Sequence, residues 1–303
     1  ISKFLKTLDI NYDKDEIMIT VGGSEALFSV LMGLLNKGDK VLVPSIGYPA
    51  YESITKMLEG ETVVYNLNDD FTINIDSLEE GIKREWIITN GLGGYCSSTI
   101  IGANTRKYHG LLVAPLTPPA RRHLILSKLD ESIQTDGKKY NLYTNMCKNY
   151  ISDGYKYLQS FKKDYIPVFE YEVAGINIKK SICMEYRKNT VVLVYEIKNN
   201  DKDSILTLAP IMNLRDFHTV TANYEFDLRQ NINKNKVKIV INRQSETPIY
   251  MNLTNGKYIK HENDKFNNMY YIEEEKRGMA AEENLIVPGR YEIELAPNEE
   301  KTI

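Results

Sequence analysis

Apolar and polar positions repeat with two different periods along this chain, and the period changes near Lys83. Ile17-Met18-Ile19-Thr20-Val21 is a β-branched run that predicts a strand ending at Gly22-Gly23-Ser24. Apolar residues then fall at Leu27, Val30, Leu31, Leu34 and Leu35, the spacing of one helix face, and Lys37-Gly38-Asp39 supplies the stop. Val41-Leu42-Val43 predicts a buried strand, Pro44 to Pro49 a loop, Ala50 to Leu58 a second helix, and Thr62-Val63-Val64-Tyr65 a third strand. Strand, helix, strand, helix, strand is a βαβαβ unit, whose crossovers require a parallel sheet. Asp76 is placed to cap a short helix from Ser77 to Lys83.

From Trp86 onward the period is two. Leu111-Leu112-Val113, Leu124-Ile125-Leu126, Phe169 to Val173, Ile176-Asn177-Ile178, Val191 to Ile197, Ile205 to Leu208, Val237 to Ile241 and Tyr291 to Leu295 all read as strands. Turn signals such as Asp136-Gly137, Ala174-Gly175 and Lys198-Asn199-Asn200-Asp201 separate them. About twelve to sixteen strands with little helical periodicity predict a large antiparallel sandwich. The expected fold is therefore mixed: a short parallel α/β segment over 1–83, then an all-β antiparallel sandwich domain over 84–303.

Charge sharpens the division. Residues 1–83 hold no arginine, 7 lysines and 14 acids, a balance of −7; the remainder holds 31 basic and 27 acidic residues, +4, with every Cys, every His and the only Trp. The overall balance of −3 gives no reason to expect nucleic acid, and there is no run of like charge to serve as a binding tail. Cys96, Cys147 and Cys183 form no CxxC pair, so they read as small hydrophobes in a reducing compartment and no metal is expected. No apolar stretch reaches the roughly 18 residues of a membrane span, no signal peptide is visible, and a cytoplasmic origin is the expectation. Ile1 in place of an initiator Met reads as a cut from something longer.

A glycine turn feeding a helix is either plain punctuation or an anion site, since unpaired N–H groups and the helix dipole converge there. Here "ITVGGSEAL", "LLNKGDKVLVP" and "GYPAY" in that order resemble the large domain of class I/II aminotransferases, the fold-type-I pyridoxal-phosphate enzymes. The resemblance implies that Gly22, Gly23 and Ser24 would hold the cofactor phosphate and that Tyr48 would stack on its ring; Ile46 stands where the family often has proline. The chemistry also needs a Schiff-base lysine, an acid at the pyridine nitrogen and an arginine for the substrate carboxylate. In the family these follow later, past an Asn-Pro turn that this sequence lacks. Ser127-Lys128 followed by Asp130-Glu131 mimics part of that set, without the expected Gly-x-Arg-x-Gly after it. No transamination is expected, and pyridoxal phosphate enters only under an alternative reading.

In the second part, Gly91-Leu92-Gly93-Gly94 lacks dinucleotide spacing and precedes no helix. Asn104, Arg106, Tyr108 and His109 gather amide, guanidinium and aromatic groups in one polar stretch. Such groups grip a polyol through its hydroxyls and its C–H faces; alternatively Arg106 and His109 satisfy buried carbonyls. "EWIITNGLGGYCSSTIIGANTRKYHGLLVAPLTPP", "LSKLDESI", "YLQSF", "RDFH" and "PGRYEIELAPNE" resemble the N-terminal domain of bacterial and archaeal glycogen debranching enzymes. Members join such a β-sandwich to a helical (α/α)6 glycosidase barrel with amylo-α-1,6-glucosidase chemistry. The resemblance implies that Asn90, Tyr95, Asn104, Arg106, Tyr108 and His109 lie at or near a glucan-facing surface.

Glycoside hydrolysis needs two positioned carboxyls. Glu131, Glu170, Glu172, Glu185 and Asp216 are available, but strand acids are mostly solvent-face residues, and in the family the catalytic pair sits in the helical domain. Arg215-Asp216-Phe217-His218 reads as a structural hydrogen bond more readily than as a relay or a metal pair. The expected function is a non-catalytic, glucan-facing debranching-enzyme domain fused to an incomplete aminotransferase segment. Its partners would be an α-glucan and a helical glycosidase domain, with no nucleic acid or membrane. The alternatives are a pyridoxal-phosphate-dependent protein, or an artefactual chimera whose parts share no function.

Overall fold

The computed structural model describes residues 1–7, 11–44, 49–65, 78–222, 225–242, 246–262 and 264–303. The chain divides into two compact units, Ile1–Phe71 and Thr72–Ile303.

In the first unit, strands Lys40–Pro44 and Glu61–Tyr65 pair in parallel, with Lys40 opposite Glu61 and Val43 opposite Val64. Helix Ala50–Met57 makes the crossover, and helix Gly23–Leu34 precedes the first strand. Gly38, at φ +85°, turns the chain after that helix, and its N–H donates to Glu59 O at 2.9 Å. Helix Leu78–Lys83 also forms, assigned to the second unit; its expected cap, Asp76, lies outside the described residues. Of the three strands expected, two pair. Ile17–Val21 runs irregularly, because a β-branched run becomes a strand only beside a partner: Met18, Ile19 and Val21 are 64%, 78% and 92% exposed. Val43 and Ile54 are the buried hydrophobic residues among those described in this unit.

The second unit is built on antiparallel sheets of five, twelve and three strands. The five-stranded sheet runs in the order Leu158–Lys163, Pro167–Val173, Ile176–Met184, Val191–Lys198, Glu300–Thr302. The spine of the twelve-stranded sheet is the pair Ala120–Thr135 and Ser204–Asp216, registered with Thr135 opposite Ser204 and Glu131 opposite Leu208. Period-two burial explains the face-to-face packing. Phe169, Tyr171 and Val173, then Ile176, Ile178 and Ile182, point inward from the five-stranded sheet. Trp86, on strand Glu85–Thr89 of the larger sheet, meets Phe169 edge-on with ring centroids 6.1 Å apart. Its indole N–H is satisfied by Thr99 O at 3.1 Å. The chain thus has a short α/β start and a mostly-β sandwich.

Candidate functional site

The Asn90–Gly94 turn closes on its own side chain. Asn90 is wholly buried; its Oδ1 accepts the Leu92 and Gly94 N–H groups at 2.9 and 3.0 Å, and its Nδ2 donates to Lys188 O and Asn189 Oδ1 at 3.0 and 3.1 Å. Gly91 and Gly93 take φ of +75° and +93°, which L side chains resist. A Cβ on Gly94 would lie 2.7 Å from Asn90 Nδ2 and 2.9 Å from Pro115 Cδ. The glycines serve this turn.

Asn104 is also interior. Its amide donates to Ser127 O and Oγ at 3.2 and 3.1 Å, and its Oδ1 accepts the Ser98 hydroxyl at 3.0 Å. His109 Nδ1 accepts the Thr105 N–H at 3.1 Å, so in the neutral ring Nε2 carries the proton, 3.4 Å from Glu85 Oε1. Arg106 Nε donates to the same carboxylate oxygen at 2.7 Å. Burial pushes the Glu85 carboxyl upward, but the hydrogen bonds from His109 and Arg106, with the Arg106 charge, outweigh it and bring it down to about 2. Asn90, Asn104 and His109 therefore sit beneath the surface. Arg106 reaches it with its Nε already committed, to Glu85 and not to a backbone carbonyl.

Tyr108 stands elsewhere in this scheme. Its half-buried ring lies edge-on to Phe217 (centroids 5.5 Å apart) and to the exposed His218 (5.7 Å), and its hydroxyl is 3.3 Å from His218 Nδ1. The Arg122 guanidinium lies 5.5 Å from the centre of the Phe217 ring, and Lys107 Nζ 5.3 Å from that of Tyr108. Tyr95 props this cluster from below: its hydroxyl donates to Tyr108 O at 2.8 Å, and burial pushes its phenol up to about 12.

One buried guanidinium fixes both loops that carry these rings. Arg215 Nη2 donates to Lys107 O at 2.9 Å, and its Nη1 donates to Asp216 O at 3.2 Å. Glu283, on the neighbouring strand Glu282–Ile286, holds Arg215 through Nε and through Nη2, the latter at 2.8 Å. Tyr271 OH and Asn213 Nδ2 donate to the same carboxylate at 2.6 and 3.0 Å. Phe217 and His218 were legible only as part of the Arg215-to-His218 motif, and Arg122, Tyr271 and Glu283 carried no local signal. Asp216 Oδ1 accepts the His218 N–H at 2.8 Å, the structural hydrogen bond expected of that motif.

The acids considered for catalysis are mostly engaged. Glu131 pairs with Lys180 and Tyr195, Glu170 accepts the Ser160 hydroxyl at 2.7 Å, and Glu185 pairs with Lys188. Glu172 is exposed on its strand. No group of three His, Cys, Asp or Glu residues is disposed to hold a metal ion among the described residues, and no helix there is long and apolar enough to cross a membrane.

Residues 84–302 match the family described as glycogen debranching enzyme N terminal. The chain belongs to that family. Residues 1–93 match the aminotransferase class I and II family, overlapping the first match near the expected junction. Similar curated proteins include the probable aspartate aminotransferase of Methanocaldococcus jannaschii, 33% identical over 84 residues, covering 28% of this chain and 22% of that protein. The probable aspartate/prephenate aminotransferase of Rickettsia bellii is 32% identical over 93 residues, covering 29% of this chain and 23% of that protein. This chain thus spans about a fifth of the length of those relatives.

In this member of the debranching-enzyme N-terminal family, the described residues of the aminotransferase-like segment keep the turn and helix start. Gly22 (φ +90°) and Gly23 open helix Gly23–Leu34, and no atom lies within 4 Å of a Cβ built on either, which leaves room for an anion. Glu25 already takes the Val21 N–H at that end, however. Ser24 is in the first turn, and Tyr48 lies outside the described residues. Lys128, of the Ser127-Lys128 pair, donates to Gly102 O and Thr144 O from inside the second unit. These residues do not fit pyridoxal chemistry.

Proposed function

We propose that residues 84–303 form a glucan-facing, non-catalytic domain of a glycogen debranching enzyme, presenting Tyr108, Phe217, His218, Arg122 and Arg106 to an α-glucan beside a helical glycosidase domain. The observation that carries this reading is the Tyr108–Phe217–His218 cluster, part exposed, held by the buried Arg215. Aromatic faces suit the C–H surfaces of glucose, while imidazole, phenol and guanidinium groups suit its hydroxyls. Tyr95, Asn90, Asn104 and His109 act from beneath by fixing the turns. The acids named above are read as structural, so bond cleavage belongs to another domain.

Native gels cast with glycogen test the reading. The full chain should be retarded, Tyr108→Ala should lose about tenfold in apparent affinity, and Tyr165→Ala, at an 81% exposed site away from the cluster, should not. Unretarded wild-type protein, or equal retardation of Tyr108→Ala, would refute it.

A further inference from the structure

Between the five- and twelve-stranded sheets, charge stands where strand alternation calls for hydrocarbon. Lys180 takes the inward position between Ile178 and Ile182 and is 7% exposed; Lys128 and Glu131, from the facing strand, are each 4% exposed. Lys180 Nζ donates to Glu131 Oε1, and Tyr195 OH donates to the same oxygen at 2.8 Å. Lys128 Nζ donates to Gly102 O at 3.1 Å and Thr144 O at 2.6 Å, and lies 3.9 Å from Asp130 Oδ1.

An ammonium has three N–H groups to place. Among the described residues, Lys180 makes one hydrogen bond, Lys128 makes two, and Glu131 Oε2 accepts none. Leaving such groups unpaired in a core is costly. A cavity of about 20 Å³ lies here, with Lys128, Glu131, Lys180, Ser98, Thr144 and Tyr171 among its lining residues. A water needs roughly 10–15 Å³ and two to four polar partners, so the space admits one water molecule.

We propose that this cavity binds a single structural water, which accepts N–H bonds from Lys128 and Lys180 and donates to Glu131 Oε2. The charges favour water over an ion. Two ammonium groups face two carboxylates, Asp130 and Glu131, so an added chloride or cation would unbalance a neutral set. Water alone both accepts twice and donates, which is what the open valences require. Once closed, the network ties strand Ala120–Thr135 to strand Ile176–Met184 across the sandwich. This inference is independent of glucan binding.

Crystals of the full chain grown without chloride, and a second set soaked in bromide, decide the matter. The expected result is one density peak within hydrogen-bond reach of Lys128 Nζ, Lys180 Nζ and Glu131 Oε2, with no anomalous bromide signal. A featureless cavity or a bromide peak there would overturn the proposal. In solution, water-oxygen magnetic relaxation dispersion should lose one long-lived water in Lys180→Met and keep it in the surface control Lys188→Met. An unchanged amplitude in Lys180→Met counts against it, and if that variant fails to fold, the wild-type crystals decide alone.

Discussion

Arg215 and Glu283 form a buried ion pair whose members each serve several partners, so losing one strands the other. Removing one partner of such a pair costs about 3–5 kcal/mol, whereas replacing both with hydrocarbon is often neutral. Arg215→Met and Glu283→Met should each lower stability by about that amount in urea unfolding, and the double variant should recover part of the loss. Two carboxyls give opposite pH dependences. Burial, against the pull of Lys128 and the Asn145 hydrogen bond, pushes Asp130 up from 3.8 to about 6. The folded state then holds its proton more tightly than the unfolded state, so Asp130 adds stability at low pH that is lost as pH rises from about 4 through about 6. Glu85, brought down from 4.5 to about 2, adds stability above 4.5 that is lost as pH falls toward 2. Asp130→Asn should flatten the first slope and Glu85→Gln the second, as read from urea midpoints across pH. The polar stretch from Asn104 to His109 was legible as chemistry because its residues are neighbours in sequence. Tyr108 and His218 meet across 110 positions, and Arg215 and Glu283 across 68, a separation that no local pattern spans.

Strands and turns obey local rules, and those rules carried most of the element assignment. The alternation of Phe169, Tyr171 and Val173 specified both a strand and its buried face, as did the Ile176 series. The same rule concealed Lys180, since a charged residue in an alternating run reads as outward unless a partner such as Glu131 is visible. Ile17–Val21 shows the converse, because composition favoured a strand and pairing decided otherwise. Turn glycines differ in what surrounds them. Gly94→Ala would drive a Cβ into Asn90 and Pro115 and should cost about 1–3 kcal/mol by thermal or chemical unfolding. Gly137→Ala, at φ +71° with nothing within 4 Å of the new Cβ, should cost about 1 kcal/mol, from backbone strain alone.

At the scale of the molecule, the two units differ in how much core they possess. Among the described residues, the first buries Val43 and Ile54 and leaves Val30, Met32, Leu34 and Met57 more than half exposed. The second buries apolar side chains on several sheets, from Trp86 to Ile303. Local opening is cheap where few apolar contacts must break, so limited proteolysis should remove residues before Phe71 first and leave a resistant fragment beginning near Thr72. Mass spectrometry of the digest would show the reverse order if this is mistaken. The longest strand, Ala120–Thr135, carries Arg122 near one end and Glu131 close to the other. Because side chains switch faces at each step, adding or deleting one codon between those positions would turn Glu131 and Ile133 toward water and set hydrocarbon neighbours against solvent. Such a gene should tolerate many missense changes along this strand but almost no single-residue length changes, whereas the Asp136-Gly137 turn just beyond it should accept inserted tags or epitopes.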